Sequence, residues 1–245
     1  GRKIFCFKLK QPIKYYNRVK NMKSIFEGEV LEALAVPGGL VFAYISEVTR
    51  DGKTVVAYRH INFENGRTTT VTKKIFQLAK FGPNYQSLEK NVAHHLSTQA
   101  AALEGGLIFL SERDGSAKII NSESDVVWTG RLCYKQEAPS AIAVDGTAVW
   151  AAFRGSNAIV RFNISTAREE LRIGGGGENN FNAPCGLFIK SPSMWVSNEG
   201  SHKIWLVNVK TYEADEYMNF EEPVYSYMQT AGLELAVLKS GLYVL

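Results

Sequence analysis

Cysteine, histidine and proline are scarce in this chain of 245 residues, at 3, 4 and 7. Cys6, Cys133 and Cys185 are odd in number and far apart, and no CxxC pair occurs. That excludes the usual structural zinc and dithiol redox motifs. The three read instead as small buried side chains in a reducing compartment, with a cytoplasmic location as the expectation. His60 and His202 stand alone, and His94 and His95 are adjacent. Adjacent residues of a strand point to opposite faces, so that pair does not converge on one ion. With no HExxH and no spaced His/carboxylate cluster, no metal is assigned and the cofactor stays unknown. A GxSxG nucleophile elbow is missing too. No apolar run approaches the roughly 18 residues that span a bilayer, and no membrane association is expected.

Acidic residues are missing from residues 1–23, which hold eight basic ones: Arg2, Lys3, Lys8, Lys10, Lys14, Arg18, Lys20 and Lys23. The whole chain carries 28 basic and 24 acidic residues, so beyond residue 23 the balance is 20 against 24. A basic arm therefore precedes a mildly acidic body. Residues 4–9 are broken by Lys8 and followed by Lys10, too short for the apolar stretch of a signal peptide. A chain opening on Gly1 leaves room for a targeting segment upstream. At 45% hydrophobic and 21% charged, the composition supports a sizeable core.

Strong helical periodicity is likewise lacking; residues 86–103 are the one ambiguous stretch. Short runs of Val, Ile, Phe, Tyr and Trp recur instead, separated by Gly, Asn, Asp and Ser. Two stretches match one another. Ala138-Pro139 opens a strand, a turn at Gly146 follows, then Val149-Trp150-Ala151-Ala152, Gly155-Ser156 and Ile159-Val160-Arg161-Phe162. Ala183-Pro184 opens the second, followed by Met194-Trp195-Val196-Ser197, Gly200-Ser201 and Ile204-Trp205-Leu206-Val207. The Trp-to-Trp offset is 45 residues, and weaker copies give second-strand markers at Phe42, Phe109, Trp150, Trp195 and Ala236. The intervals are 67, 41, 45 and 41 residues. The long one reads as a single repeat plus an insertion over residues 81–96.

Repeats of about 40–50 residues with three or four antiparallel strands each indicate an all-β β-propeller. Five blades fit best within a single domain over residues 1–245, and six is the alternative if the insertion forms an irregular blade. The last copy lacks an outer strand, while the N-terminus has spare strand-like runs at residues 4–9 and 23–26. Residues 1–27 are therefore expected to supply the closing strand along with the basic arm, completing the last blade and zipping the ring.

Asn182-Ala183-Pro184-Cys185-Gly186-Leu187 with Met194-Trp195-Val196-Ser197-Asn198-Glu199-Gly200-Ser201-His202-Lys203-Ile204 resembles an NHL-type repeat. The copy beginning at Pro139 is similar to repeats of the virginiamycin B lyase-like propellers, and the likeness is concentrated in residues 138–210. It implies the fold more than the function, because such propellers include enzymes, protein binders and RNA binders. The lyase-like resemblance also implies a His/Glu acid–base pair near a metal, a pair that only Glu199 and His202 can imitate.

In a propeller, the turns joining second to third strands and the connections between blades share one end of the ring. Those turns here carry Glu112, Arg113, Arg154, Asn198, Glu199 and His202, and Asn179 sits in the blade connection 173–181. Glu47, Arg50 and Lys239 fall comparably. Together they suit a protein or a small polar ligand, with solvated turn charges as the plain alternative. Four successive glycines at residues 174–177 can expose backbone amides to an anion, or simply give a flexible link. The arm interleaves Phe5, Phe7, Tyr15 and Tyr16 with its cations. That pattern fits nucleic-acid binding, and equally an edge strand kept soluble by lysine. Asn163-Ile164-Ser165 matches a glycosylation sequon by composition alone. The sequence thus predicts a non-catalytic propeller that binds a protein or small polar ligand through one ring face. The rivals are a lyase- or hydrolase-like enzyme using Glu199, His202 and Arg154 at the mouth, and nucleic-acid binding through the arm.

Overall fold

Near-continuous apolar runs such as 148–153, in which every residue is buried, can only be strands covered on both faces. The computed structural model of the chain, which describes residues 22–82, 98–176 and 181–245, shows how they are covered. Each run is the second strand of a four-stranded antiparallel sheet. Blade 1 is β2 (Val30–Val36), β3 (Gly39–Val48), β4 (Thr54–Asn62) and β5 (Thr68–Val71). Blade 2 is β6 (Gln99–Ala102), β7 (Ile108–Ser111), β8 (Ser116–Ile120) and β9 (Val126–Arg131). Blade 3 is β10 (Ala141–Asp145), β11 (Ala148–Phe153), β12 (Ala158–Asn163) and β13 (Glu169–Gly174). Blade 4 is β14 (Pro184–Lys190), β15 (Ser193–Asn198), β16 (Lys203–Asn208) and β17 (Ala214–Asn219). Blade 5 is β18 (Val224–Thr230), β19 (Leu233–Leu238), β20 (Gly241–Val244) and, as its outer strand, β1 (Lys23–Glu27) from the other end of the chain.

The protein is thus a five-bladed β-propeller closed by its N-terminal strand. Lys23 pairs Val244 and Glu27 pairs Gly241. Gly241, at φ +157°, lies so close to the Phe26 carbonyl that a Cβ there would overlap it. Phe26 then plugs into blade 1, its ring 4.9 Å from Phe42 and 4.8 Å from Tyr44, with the Arg59 guanidinium 5.5 Å away. The remaining strand-like run, residues 4–9, and the arm before residue 22 lie outside the described residues.

Apolar seams hold neighbouring blades together. Phe109 of blade 2 packs with Val149, Ala151 and Phe153 of blade 3. Trp150 and Ile159 of blade 3 meet Met194 and Val196 of blade 4. Trp195 of blade 4 stacks on Tyr227 of blade 5 at 5.4 Å, and Leu235 and Val237 of blade 5 meet Leu40 and Phe42 of blade 1. The seam between blades 1 and 2 differs, because a helix, α1 (Lys73–Phe81), lies there. Phe76 and Ala79 face Val41 and Ala43 of blade 1, while Leu78 and Phe81 face Leu110 and Ile120 of blade 2. Thr72 caps the helix, accepting from the Ile75 amide, and the Gly82 amide closes it on the Leu78 carbonyl. The excess of the long interval thus includes a wedge that begins ahead of residue 81. Residues 83–97, which hold His94 and His95, lie outside the described residues, and 99–102 form a strand.

At the opposite end from the candidate turns, each third strand of blades 1 to 4 runs into an Asn. Asn62 accepts from the Glu64 amide at 2.9 Å, Asn121 from Glu123 at 3.0 Å, Asn163 from Ser165 at 3.0 Å and Asn208 from Lys210 at 2.9 Å. These Asx turns bend the chain back into the outer strand. The sequon residue Asn163 is one of them, and its amide nitrogen also donates to Glu170 at 3.1 Å.

Candidate ligand-binding face

Inner strands carry a β-bulge at the candidate end of the ring. The unpaired residue is Leu31 in blade 1, Cys185 in blade 4 and Tyr225 in blade 5, each skipped in its ladder. Ser140 takes the same position in blade 3, 45 residues before Cys185. The Ser140 hydroxyl bonds the Ala152 carbonyl of its own blade at 3.0 Å and the Pro184 carbonyl of the next at 2.8 Å. Cys185 repeats the pattern more weakly, its thiol 3.6 Å from the Ser197 carbonyl and 3.4 Å from that of Val224 in blade 5. Burial pushes this thiol up to about 12, and the negative charge of Glu199 adds to the effect. The Tyr225 hydroxyl is raised by the same causes, burial first and Glu199 second.

A second layer of bonds ties each blade opening to its own second-to-third-strand turn. Glu137 accepts from the amides of Gly155 at 2.6 Å and Ser156 at 2.8 Å. Glu222 accepts from the Ser240 amide at 2.7 Å and from the Ser240 hydroxyl. In blade 4 the backbone does the same work, the Gly200 amide donating to the Asn182 carbonyl at 3.1 Å.

Arg154 and Glu199, at equivalent points of blades 3 and 4, form an ion pair across the seam, with 53% and 22% of their side chains exposed. Glu112 is held through one oxygen by the Thr98 hydroxyl at 3.0 Å, and its other oxygen is buried without a hydrogen bond. Arg113 and Lys239 are exposed. Glu47 and Arg50 belong to the β3–β4 hairpin, which runs on past the level of the other turns. Asn198 is wholly buried, accepting from the Asn182 amide at 3.1 Å and donating to the Val196 carbonyl at 2.9 Å. It serves the turn rather than a ligand. His202 has φ +58°, and its carbonyl accepts from the Phe220 amide at 2.9 Å. Among the described residues no hydrogen bond or ion pair joins it to Glu199. His60 lies on β4, remote from these turns in its blade. Asn179 lies outside the described residues. Among the described residues no group of three or more His, Cys, Asp or Glu side chains is placed to hold a metal, and no helix is long and apolar enough to cross a membrane.

The structure thus brings Arg154 and Glu199 together across a seam, with Asn198 and His202 in the turn of Glu199, and places Glu112 and Arg113 in blade 2. Sequence reasoning passed over Glu137, Ser140, Cys185 and Tyr225. The signal for the Ser140–Cys185 equivalence was the 45-residue offset itself, since equivalent residues of adjacent blades are neighbours in a ring.

No family model matches the sequence, and no curated protein matches it. Solved structures with a similar course of the backbone include the computationally designed Ika4 protein, at TM-score 0.48 and 12% identity, covering 63% of this chain and 93% of that one. The WD40 repeats of RRP9 align at TM-score 0.48 and 14% identity, covering 60% of this chain and 46% of that chain. Hydrazine synthase of Kuenenia stuttgartiensis aligns at TM-score 0.42 and 15% identity, covering 58% and 47%. Likeness at that level carries no argument about activity. The propeller is established by its own five four-stranded sheets and their closure.

Proposed function

We propose that this propeller is a non-catalytic binding module, taking a protein or a small polar ligand on the ring end that carries the blade connections and the second-to-third-strand turns. One observation supports it above the others: two carboxylates of that end, Glu199 and Glu137, are engaged in holding the face together. Arg154 neutralises Glu199 across a seam, and the Glu137 carboxylate is spent on two turn amides. A rigid, self-bonded polar face suits recognition, whereas acid–base chemistry needs a titrating group free to reach a substrate. Kinship with the NHL-type and virginiamycin B lyase-like propellers is part of the same proposal and rests on residues 138–210. The free thiols of Cys133 and Cys185 fit the proposed cytoplasmic setting.

The test is residue-resolved. NMR shift mapping of the full chain against a panel of polar fragments and short peptides should perturb residues 112–114, 154–157 and 198–202 first. Perturbations confined to the Asx-turn end, around Asn62, Asn121, Asn163 and Asn208, would contradict the assignment.

A further inference from the structure

Two cations converge on one buried tyrosine at the outer rim of the same ring end. Tyr134 and Glu137 pair as an isolated bridge, and the two residues between them, Lys135 and Gln136, have φ +49° and +65°. That is the conformation of a tight primed turn, adopted at a cost by residues other than glycine and asparagine. It turns Lys135 back, so that its Nζ lies 5.3 Å from the centre of the Tyr134 ring and donates to the Gly175 carbonyl at 3.2 Å. Arg172, from β13 of blade 3, approaches the same ring with its Cζ at 4.8 Å and donates from Nη1 to the Tyr134 hydroxyl at 2.6 Å.

Both charges therefore lie within about 10 Å of each other, of the order of the Debye length at physiological salt, and repel. Neither cation makes a close ion pair among the described residues. Glu169 stands 4.0 Å from the Arg172 Nε, the limit of an ion pair, and both oxygens of Glu137 are occupied by turn amides. Tyr134 is only 7% exposed. Its hydroxyl oxygen accepts from Arg172, which leaves the hydroxyl proton to donate, and among the described residues nothing accepts it. Glycines complete the corner. Gly174 and Gly175 have φ +79° and +78°, a Cβ on Gly175 would stand 2.8 Å from the Tyr134 hydroxyl, and no described residue lies within 4 Å of a Cβ on Gly176.

We propose that this corner, formed by Lys135, Arg172 and the Tyr134 hydroxyl beside Gly176, binds a phosphate dianion. Two converging cations call for a charge near −2, which a phosphate group carries at neutral pH and a carboxylate does not. The unused tyrosyl proton supplies a third contact. The site shares the ring end of the mouth but lies at its rim, and it does not depend on the Arg154–Glu199 pair.

The test titrates the full chain with inorganic phosphate and, separately, with glycerol phosphate at fixed ionic strength, by NMR and calorimetry, with chloride as the reference salt. Saturable binding that shifts residues 134–136 and 172–176 is expected. Tyr134→Phe, which keeps the ring, and Lys135→Gln, at an exposed turn, should each weaken it about tenfold while the melting temperature stays within a few degrees. Equal affinity for both ligands identifies the phosphate group as what is recognised, and binding of the ester alone identifies a phosphate carried on a larger molecule; either supports the site. Phosphate that binds no better than chloride, or that binds both variants as it binds the parent chain, overturns it.

Discussion

Removing one partner of the Glu32–Lys80 pair probes the wedge between blades 1 and 2. Lys80 on α1 reaches Glu32 on β2 at 2.8 Å, with side chains 4% and 20% exposed. Burial raises the Glu32 carboxyl and Lys80 pulls it back down. Lys80→Met leaves the buried Glu32 carboxylate facing a thioether. Breaking a buried pair from one side costs about 3–5 kcal/mol, whereas replacing both partners is often neutral or stabilising. For a domain of this size that is a fall of about 10 °C in Tm for Lys80→Met and a few degrees at most for Glu32→Gln/Lys80→Met. The pH dependence has a definite sign. A raised folded-state pKa contributes stability that is full below the unfolded value near 4.5 and lost as pH rises through the folded one. Glu32→Gln should therefore remove a loss that develops above pH 4.5. Urea unfolding across pH 4–8, with hydrogen exchange on residues 73–81, reads all three effects. Lys80→Met costing under about 1 kcal/mol, or the double variant costing as much as Lys80→Met, would refute the picture of a buried pair.

Other outcomes follow from the remaining contacts. Cys185, its thiol pushed up to about 12, should resist iodoacetamide at pH 8 in the native protein and react only in denaturant; mass spectrometry decides, and prompt native labelling would contradict its burial. Phe26→Ala should cost about 2–4 kcal/mol and release β1, seen as fast hydrogen exchange at residues 23–27 and 241–244, because the ring contacts Phe42, Tyr44 and Arg59 together. Asn163→Ala should cost about 1 kcal/mol by chemical denaturation through loss of its turn bonds. Arg154→Ala, at a half-exposed ion pair, should change stability by less than about 1 kcal/mol, which separates any binding defect from unfolding.

Blades were legible because repetition multiplies a weak signal. Phe42, Phe109, Trp150, Trp195 and Ala236 all fall within second strands, where burial on both faces demands apolar residues at regular spacing. The Asn at residues 62, 121, 163 and 208 was an equally regular signal that apolar periodicity ignores, since an Asx turn is a backbone requirement at the exposed end of a strand. The helix was missed for another reason. Its nine residues are shorter than the window of about 11–18 in which helical periodicity is read. At the site, Arg154 and Glu199 are one repeat apart and meet because rings juxtapose equivalent positions. Tyr134, Lys135 and Arg172 have no such relation; they converge through a turn conformation that the residue types Lys and Gln do not announce.

Because blade 5 is assembled from both ends of the described chain, β1 is made before every other described strand and its partner β20 after them. On the ribosome, blades 1 to 4 can stack while that early strand still waits as an unpaired edge, with its lysine and glutamate at the borders to discourage wrong partners. The same arrangement means that the ring can be recut. A link from the residue after β20 to the one before β1, with new ends opened in the connection between β17 and β18, should give a permuted chain whose every blade is built from consecutive strands.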